Sequence, residues 1–288
     1  MKGKLINWAL FLILSVIWGS SFILMKEGMV RLSPYQVASI RIFSAGLVLI
    51  PFALRSLRAI PKDKILLVLV SGLLGNFFPA YLFCIAETRL DSGLAGILNA
   101  LTPFFVILIG MSFFNLKANA IKITGVIVGF IGLCLLVTVN GHFGLQNISY
   151  SLFILLATFF YGLNVNLIGR YMQGIGSINI ASLAFVFLMI PSSITLWTTG
   201  YFNMHFSEAT VWHSTLASFV LGVMGTAVAS ILFYMLIKRA GNLFASMVTY
   251  GIPFVALAWG VWYGELITWL QVGCLGIILV GVYLVNKK

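Results

Sequence analysis

The feature that most constrains this chain is a succession of ten apolar runs, each close to bilayer length, with very little sequence between them. They fall at roughly 5–25, 34–54, 65–86, 92–114, 121–139, 150–170, 177–199, 214–237, 242–263 and 267–285. A helix crossing the hydrocarbon core needs about 20 apolar residues, so 288 residues accommodate ten such helices only with short connections. Hydrocarbon offers the backbone no hydrogen bonds, which makes runs of this kind helical. Charged residues are 8% of the chain and hydrophobic ones 61%, against about 25% charged in a soluble domain. Such a chain cannot cover a water-soluble globule, and no room remains for a soluble domain. The expected fold class is an all-α membrane protein with ten transmembrane helices. Lys2 and Lys4 ahead of the first run resemble the start of a signal peptide. That run reaches Leu24 without a small-x-small cleavage site before Lys26 and Glu27, so it reads as a retained first span. Ser33 and Pro34 should open the second span as N-cap and N1 proline.

The net charge of +11 is spread along the ends of the apolar runs and forms no basic stripe, which excludes nucleic acid as a partner. If the N-terminus is cytoplasmic, the inner segments hold Lys2, Lys4, Arg55, Arg58, Lys62, Lys64, Lys117, Lys122, Arg170, Lys238, Arg239, Lys287 and Lys288. The outer loops then hold only Lys26, Arg31 and Arg89, and Arg41 falls inside a span. An excess of 13 over 3 is a positive-inside signal. It predicts a multi-pass protein of the cell inner (plasma) membrane with cytoplasmic N- and C-termini.

The two halves repeat. A shift of 150 residues lays Gly72, Gly75, Leu82, Phe83, Arg89, Ala95, Pro103, Phe104 and Gly110 on Gly222, Gly225, Leu232, Phe233, Arg239, Ala245, Pro253, Phe254 and Gly260. Trp18-Gly19 and Tyr161-Gly162 pair at a shift of 143. Five spans per copy is an odd number, so the second copy enters the membrane from the opposite side. The expected organisation is two inverted five-helix repeats, residues 1–139 and 150–288, separated by the break at 140–144. Inverted repeats of this kind characterise secondary transporters.

Several short motifs then resemble a known family. They are Trp18-Gly19-Ser20-Ser21-Phe22 in the first span, Pro34 and Arg41 in the second, and the stretch 86–95 leading to Pro103-Phe104. The second copy adds Pro253-Phe254, Gly264-Glu265 and Gln271-Val272-Gly273. In this order and spacing they resemble the EamA-type members of the drug/metabolite transporter superfamily. One departure is plain: the Gly-Glu pair that family members often carry after the fourth span reads Phe114-Asn115 here, while the second copy keeps Gly264-Glu265. The resemblance implies ATP-independent export or exchange of small metabolites, often amino acids or their relatives.

Polar residues at membrane depth are the default functional candidates. Arg41 suits recognition of an anionic group or a gating pair with Glu27 or Glu87, and equally a structural bridge. Asn76, Asn99, Asn164 and Asn166 suit either a pathway or interhelical glue. Asn99 and its repeat mate Thr249 lie four residues before Pro103 and Pro253, whose missing N–H leaves those two backbone carbonyls unbonded. Two polar helix kinks at matching depth make this the expected centre of a substrate site. Trp18, Tyr81 and Tyr250 are the aromatic candidates to line it, with Tyr161 and Trp259 behind them. Ser20, Ser21, Gly93, Gly96, Gly125 and Gly129 suit close helix packing. The six carboxylates Glu27, Asp63, Glu87, Asp91, Glu208 and Glu265 all fall at or beyond span ends. This favours gradient-driven movement, or coupling through Glu87.

Enzyme chemistry is excluded by what is missing. There is no phosphate-binding Gly-Lys loop, no H-E-x-x-H and no serine with a histidine partner. His142, His205 and His213 fall in expected outer loops, and Cys84, Cys134 and Cys274 read as small buried hydrophobes. No cofactor or metal is expected. The expected partners are a small-molecule metabolite and the lipid bilayer, with the chain a monomer or weak homodimer. The sequence therefore points to a secondary transporter of small amphipathic metabolites working by alternating access. A non-transporting membrane scaffold or assembly subunit is the alternative.

Overall fold

Main-chain hydrogen bonding dictates the architecture, because a segment held in hydrocarbon must satisfy its own N–H and C=O groups. The structure, a computed structural model, describes residues 2–90, 92–140, 148–262 and 268–286, and among these there is no strand. The N-terminal half supplies α1 (Lys2–Met29), α2 (Pro34–Ala59), α3 (Lys62–Gly72), α4 (Phe78–Ala86), α5 (Ser92–Asn99), α6 (Thr102–Phe113) and α7 (Ala120–Asn140). The C-terminal half supplies α8 (Ile148–Tyr171), α9 (Ser177–Thr198), α10 (Ala209–Gly222), α11 (Ala229–Ala240), α12 (Asn242–Ser246), α13 (Ile252–Trp262) and α14 (Trp269–Asn286). The break expected at 140–144 lies outside the described residues beyond Asn140, as do Asp91, His142, Gly264 and Glu265.

Among the described residues, six helical stretches are long and apolar enough to cross a membrane: Gly3–Met29, Pro34–Ala59, Lys62–Ala86, Ser149–Tyr171, Ser177–Thr198 and Ala209–Ala240. Shorter apolar helices occupy Thr102–Phe113, Ala120–Leu136, Asn242–Val255 and Trp269–Val285. Their outer faces are apolar as well: Trp269 is 89% exposed, Phe113 78% and Leu54 76%. Side chains of this kind, left open all round a molecule, need lipid against them.

Local signals behave as expected at the start of α2. The Ser33 hydroxyl accepts from the Gln36 N–H at 3.3 Å, the Gln36 side chain accepts from the Ser33 N–H at 2.9 Å, and Pro34 takes the first turn. The gap between the apolar runs 177–199 and 214–237 is partly helical. A 3-10 turn at Tyr201–Asn203 leads into α10 from Ala209. Helix continues this far because Val211 and Ser214 are buried, and the Ser214 hydroxyl donates to the Glu27 carbonyl of α1 at 2.9 Å.

Packing crosses between the two halves of the chain. α2 lies along α9 and α7 along α14, while α1 packs on α10, α11 and α13 and α8 packs on α4, α5 and α6. Small residues allow the close approaches. A Cβ added at Gly19 would fall 2.7 Å from the Val255 Cβ, and one at Gly162 2.9 Å from the Phe105 Cβ. These two contacts map onto each other under the 143- and 150-residue shifts. Gly125 meets the backbone of Gly281, and Gly129 accommodates the Tyr250 ring, so the GxxxG pair of α7 packs as expected. Gly96 does not: no atom lies within 4 Å of an added Cβ, so its expected packing role is corrected.

Two glycines of α14 test this reading. At Gly281 an added Cβ would sit 2.5 Å from the Gly129 nitrogen and 2.6 Å from the Gly125 oxygen, whereas at Gly273 it meets nothing within 4 Å. Gly281→Ala should lower thermal stability in detergent by about 1–3 kcal/mol through overpacking. Gly273→Ala should leave it unchanged or raise it by up to about 1 kcal/mol through helix propensity.

Candidate functional site

Four helix interruptions converge at membrane depth. Two are the proline breaks. α5 ends at Asn99 and α6 begins at Thr102; α12 ends at Ser246, passes through a 3-10 turn at Met247–Tyr250, and α13 begins at Ile252. The Asn99 carbonyl freed by Pro103 accepts instead from the Thr102 hydroxyl at 2.6 Å. Both fall where the sequence places kinks, and Leu101 and Gly251 keep right-handed helical dihedrals there. The other two interruptions are π turns, Leu73–Phe77 between α3 and α4 and Val223–Val228 between α10 and α11. Both begin at the same register of the 150-residue repeat. A π turn inserts a residue and leaves a main-chain carbonyl exposed, and here the Gly225 carbonyl accepts from Trp18 Nε1 at 3.1 Å.

The interruptions surround a cavity of about 90 Å³, counted as space for the centres of water molecules. A water needs about 10–15 Å³ on this measure, so the cavity takes several waters or one small organic molecule. Trp18, Ser21, Phe22 and Met25 of α1 form one wall, and Arg41 enters from α2. Gly75, Asn76 and Gly225 come from the π turns, and Asn99, Thr102, Ser246 and Thr249 from the broken helices. Tyr161 and Asn164 of α8 and Ser230, Phe233 and Tyr234 of α11 complete the wall.

Polar groups on this wall are tied together across the copies. Asn76 Nδ2 donates to the Tyr234 hydroxyl at 3.0 Å while its Oδ1 accepts from Ser230 at 3.1 Å. Asn164 Oδ1 accepts from Ser71 at 2.6 Å. Arg41 Nε donates to Thr226 Oγ1 at 2.6 Å. The apolar wall is aromatic: Trp18 meets Phe233 edge-on at 5.0 Å, and Phe83 lies between Phe22 and Tyr161 at 6.5 and 6.1 Å.

Of the residues singled out in the sequence, Trp18, Arg41, Asn76, Asn99, Tyr161, Asn164 and Thr249 line this cavity, and so does Ser21, which was expected to serve helix packing. Tyr81 and Tyr250 do not. The Tyr81 hydroxyl pairs with Ser39 at 2.7 Å, and Tyr250 is fully buried, its hydroxyl donating to the Val126 carbonyl at 2.8 Å. Pro103 and Pro253 lie behind the wall they create. Asn166 acts as interhelical glue, donating to the Val106 and Gly162 carbonyls at 2.9 Å and accepting from Asn242 at 3.0 Å. Trp259 bonds Ser20 at 3.0 Å on an exposed face. Glu87 lies outside the lining; it is buried, and neither carboxylate oxygen has a hydrogen-bond partner among the described residues. Tyr234, Ser230 and Thr226 went unnoticed in the sequence. Thr226 is the repeat mate of Asn76, and that correspondence is the signal that could have found it.

Known proteins bear on this site. The model of the EamA-like transporter family matches residues 6–138 and again residues 148–287. The chain is similar to the "Uncharacterized transporter YdfC" of Bacillus subtilis, 26% identical over 268 residues, which cover 92% of this chain and 85% of that one. It is 25% identical to the "Uncharacterized inner membrane transporter YedA" of Escherichia coli over 284 residues, 95% of this chain and 88% of that one. A "Probable amino-acid metabolite efflux pump" of Salmonella typhimurium is 29% identical over 149 residues, 51% of this chain and 47% of the pump. A solved crystal structure superposes with a TM-score of 0.74 at 16% identity, covering 98% of this chain and 96% of that one, a likeness of fold alone. With its six membrane-length helices this is a multi-pass membrane protein of transporter kind, and the chain belongs to the EamA-like transporter family.

Proposed function

We propose that the chain is a secondary transporter that exports small amphipathic metabolites, amino acids or their relatives, by alternating access. Ten spans form two inverted five-helix repeats, residues 1–139 and 150–288, with both termini cytoplasmic in the inner membrane. The observation that carries this reading is the cavity itself, ringed by paired interruptions from the two copies: two proline breaks and two π turns in matching register. The two separate matches of one family model support the repeat. So does the pairing of contacts under the shifts, Gly19 with Val255 and Gly162 with Phe105. Rocking of one bundle on the other would open the cavity to alternate sides.

Broken helices at this depth suit a binding site, since freed carbonyls and side-chain amides supply partners that a polar cargo would otherwise lose on leaving water. Glu87 is the group proposed to carry a proton. A buried carboxylate without a partner costs less when protonated, and one that is alternately exposed could exchange its proton with either side. The efflux pump relative is named for amino-acid metabolites, which agrees with an aromatic and amide-lined site of this size. A scaffold has no use for such a cavity.

Three outcomes are expected. Overproduction in cells should raise the excretion of at least one small metabolite, and protein in liposomes should exchange it; no movement across a broad panel would sink the proposal. Asn76→Leu, which removes the bridge between Ser230 and Tyr234, should reduce transport about tenfold and cost about 1–2 kcal/mol of stability. Glu87→Gln should abolish acceleration by a pH gradient while sparing downhill exchange, measured with and without an imposed gradient. Equal acceleration in both proteins would remove Glu87 from the mechanism.

A further inference from the structure

The cavity carries charge of one sign. Arg41 is the only charged residue among the described residues that line it; the other polar groups are amides, hydroxyls and phenols. Its guanidinium is held by one edge. Nε donates to Thr226 Oγ1, and the same hydroxyl reaches the Leu221 carbonyl five residues earlier at 3.3 Å, a spacing that the π turn supplies. Gly222 lets the α2 backbone at Arg41 lie directly against the start of that turn. Among the described residues, no hydrogen bond or ion pair engages the terminal nitrogens Nη1 and Nη2.

A fixed guanidinium with a free outer edge at membrane depth is costly until an anion meets it. Its planar fork matches a carboxylate with two parallel hydrogen bonds. Glu87 lies close enough for its charge to act on Arg41 through space, but neither of its oxygens makes a hydrogen bond among the described residues, so the guanidinium fork itself is left open. A positive group on the cargo would find no carboxylate on the wall. Two of the amide oxygens are already engaged, Asn76 by Ser230 and Asn164 by Ser71. The remaining surface, Trp18, Phe22, Phe83 and Phe233, suits an apolar body.

We infer that the cargo is a monoanion, a carboxylate on a compact apolar body without a fixed positive charge, held with its carboxylate on the outer edge of Arg41. This rests on the transport reading above and narrows it from amino-acid relatives in general to their deaminated or otherwise amine-free carboxylates.

Three labelled compounds of one carbon skeleton test it in liposomes containing the full chain: leucine, its 2-oxo acid and leucine amide. The 2-oxo acid should leave faster than leucine, and the amide should not move above protein-free vesicles. Arg41→Gln should cut 2-oxo acid flux about tenfold or more, the loss of a charge-assisted hydrogen bond. Arg41→Lys, which keeps the charge but not the fork, should retain more flux than Arg41→Gln. Faster movement of leucine or of the amide overturns the inference, as does 2-oxo acid flux unchanged in a folded Arg41→Gln protein. If Arg41→Gln fails to fold, the charge preference of the unaltered protein decides. An unaltered protein that carries neutral or cationic compounds but not the 2-oxo acid overturns this inference and leaves the transport reading standing. One that carries nothing of any charge removes both.

Discussion

A main-chain carbonyl in hydrocarbon has no water to fall back on, and that single constraint organises this molecule. Regular helix satisfies it along most of the described chain. Where the helices are interrupted, by Pro103, Pro253 or the two π turns, the loosened backbone lies against protein or the cavity rather than against lipid. The replacement partners can be named: the Thr102 hydroxyl for the Asn99 carbonyl and the Trp18 indole for Gly225. Because an interruption is tolerable only where such partners exist, gathering four of them in one place makes that place polar and irregular. The cavity and the helix breaks are the same fact seen from two sides.

Close packing between the copies depends on this arrangement. The π turns sit beside Gly72 and Gly222, where Ala184 of α9 and the Arg41 backbone of α2 come against the chain. Side chains that face the cavity also tie the copies together, as Asn76 does through Tyr234 and Ser230. Binding groups and structural ties therefore share residues, and a substitution on this wall alters both the site and the contact that holds it.

Much of this was legible in the residues. Hydrophobic run length marked a multi-pass membrane protein, and six of the runs are membrane-length helices among the described residues; Ser33 and Pro34 marked a helix start, and the 150-residue register picked out Asn99 and Thr249, which do face one cavity. The π turns were not legible, because one inserted residue leaves no trace in hydropathy. Nor could one sequence tell Tyr234, which lines the cavity, from Tyr250, which is packed against Gly129 and Val126; both lie in apolar runs, and only the helix face separates them. Asn115 shows a milder case. It replaces the glycine-and-glutamate pattern of the second copy, yet with φ of 54° it adopts the left-handed conformation that asparagine tolerates, and Leu116 N–H bonds back to the Gly110 carbonyl at 2.9 Å. α6 thus ends cleanly without the acidic residue.

The crossed packing has a consequence for the order of synthesis. α1 is made first, but the helices it packs on most, α10, α11 and α13, all lie in the second half of the chain. Its hydroxyls would meet bare lipid in the interval. In the folded chain two of them, on Ser15 and Ser21, each donate to the carbonyl one turn back, Phe11 and Ile17, at 2.8 Å, bonds that α1 can make by itself. α1 carries its own temporary solvent in its backbone, so a nascent first half can wait in the bilayer for the partner that completes it.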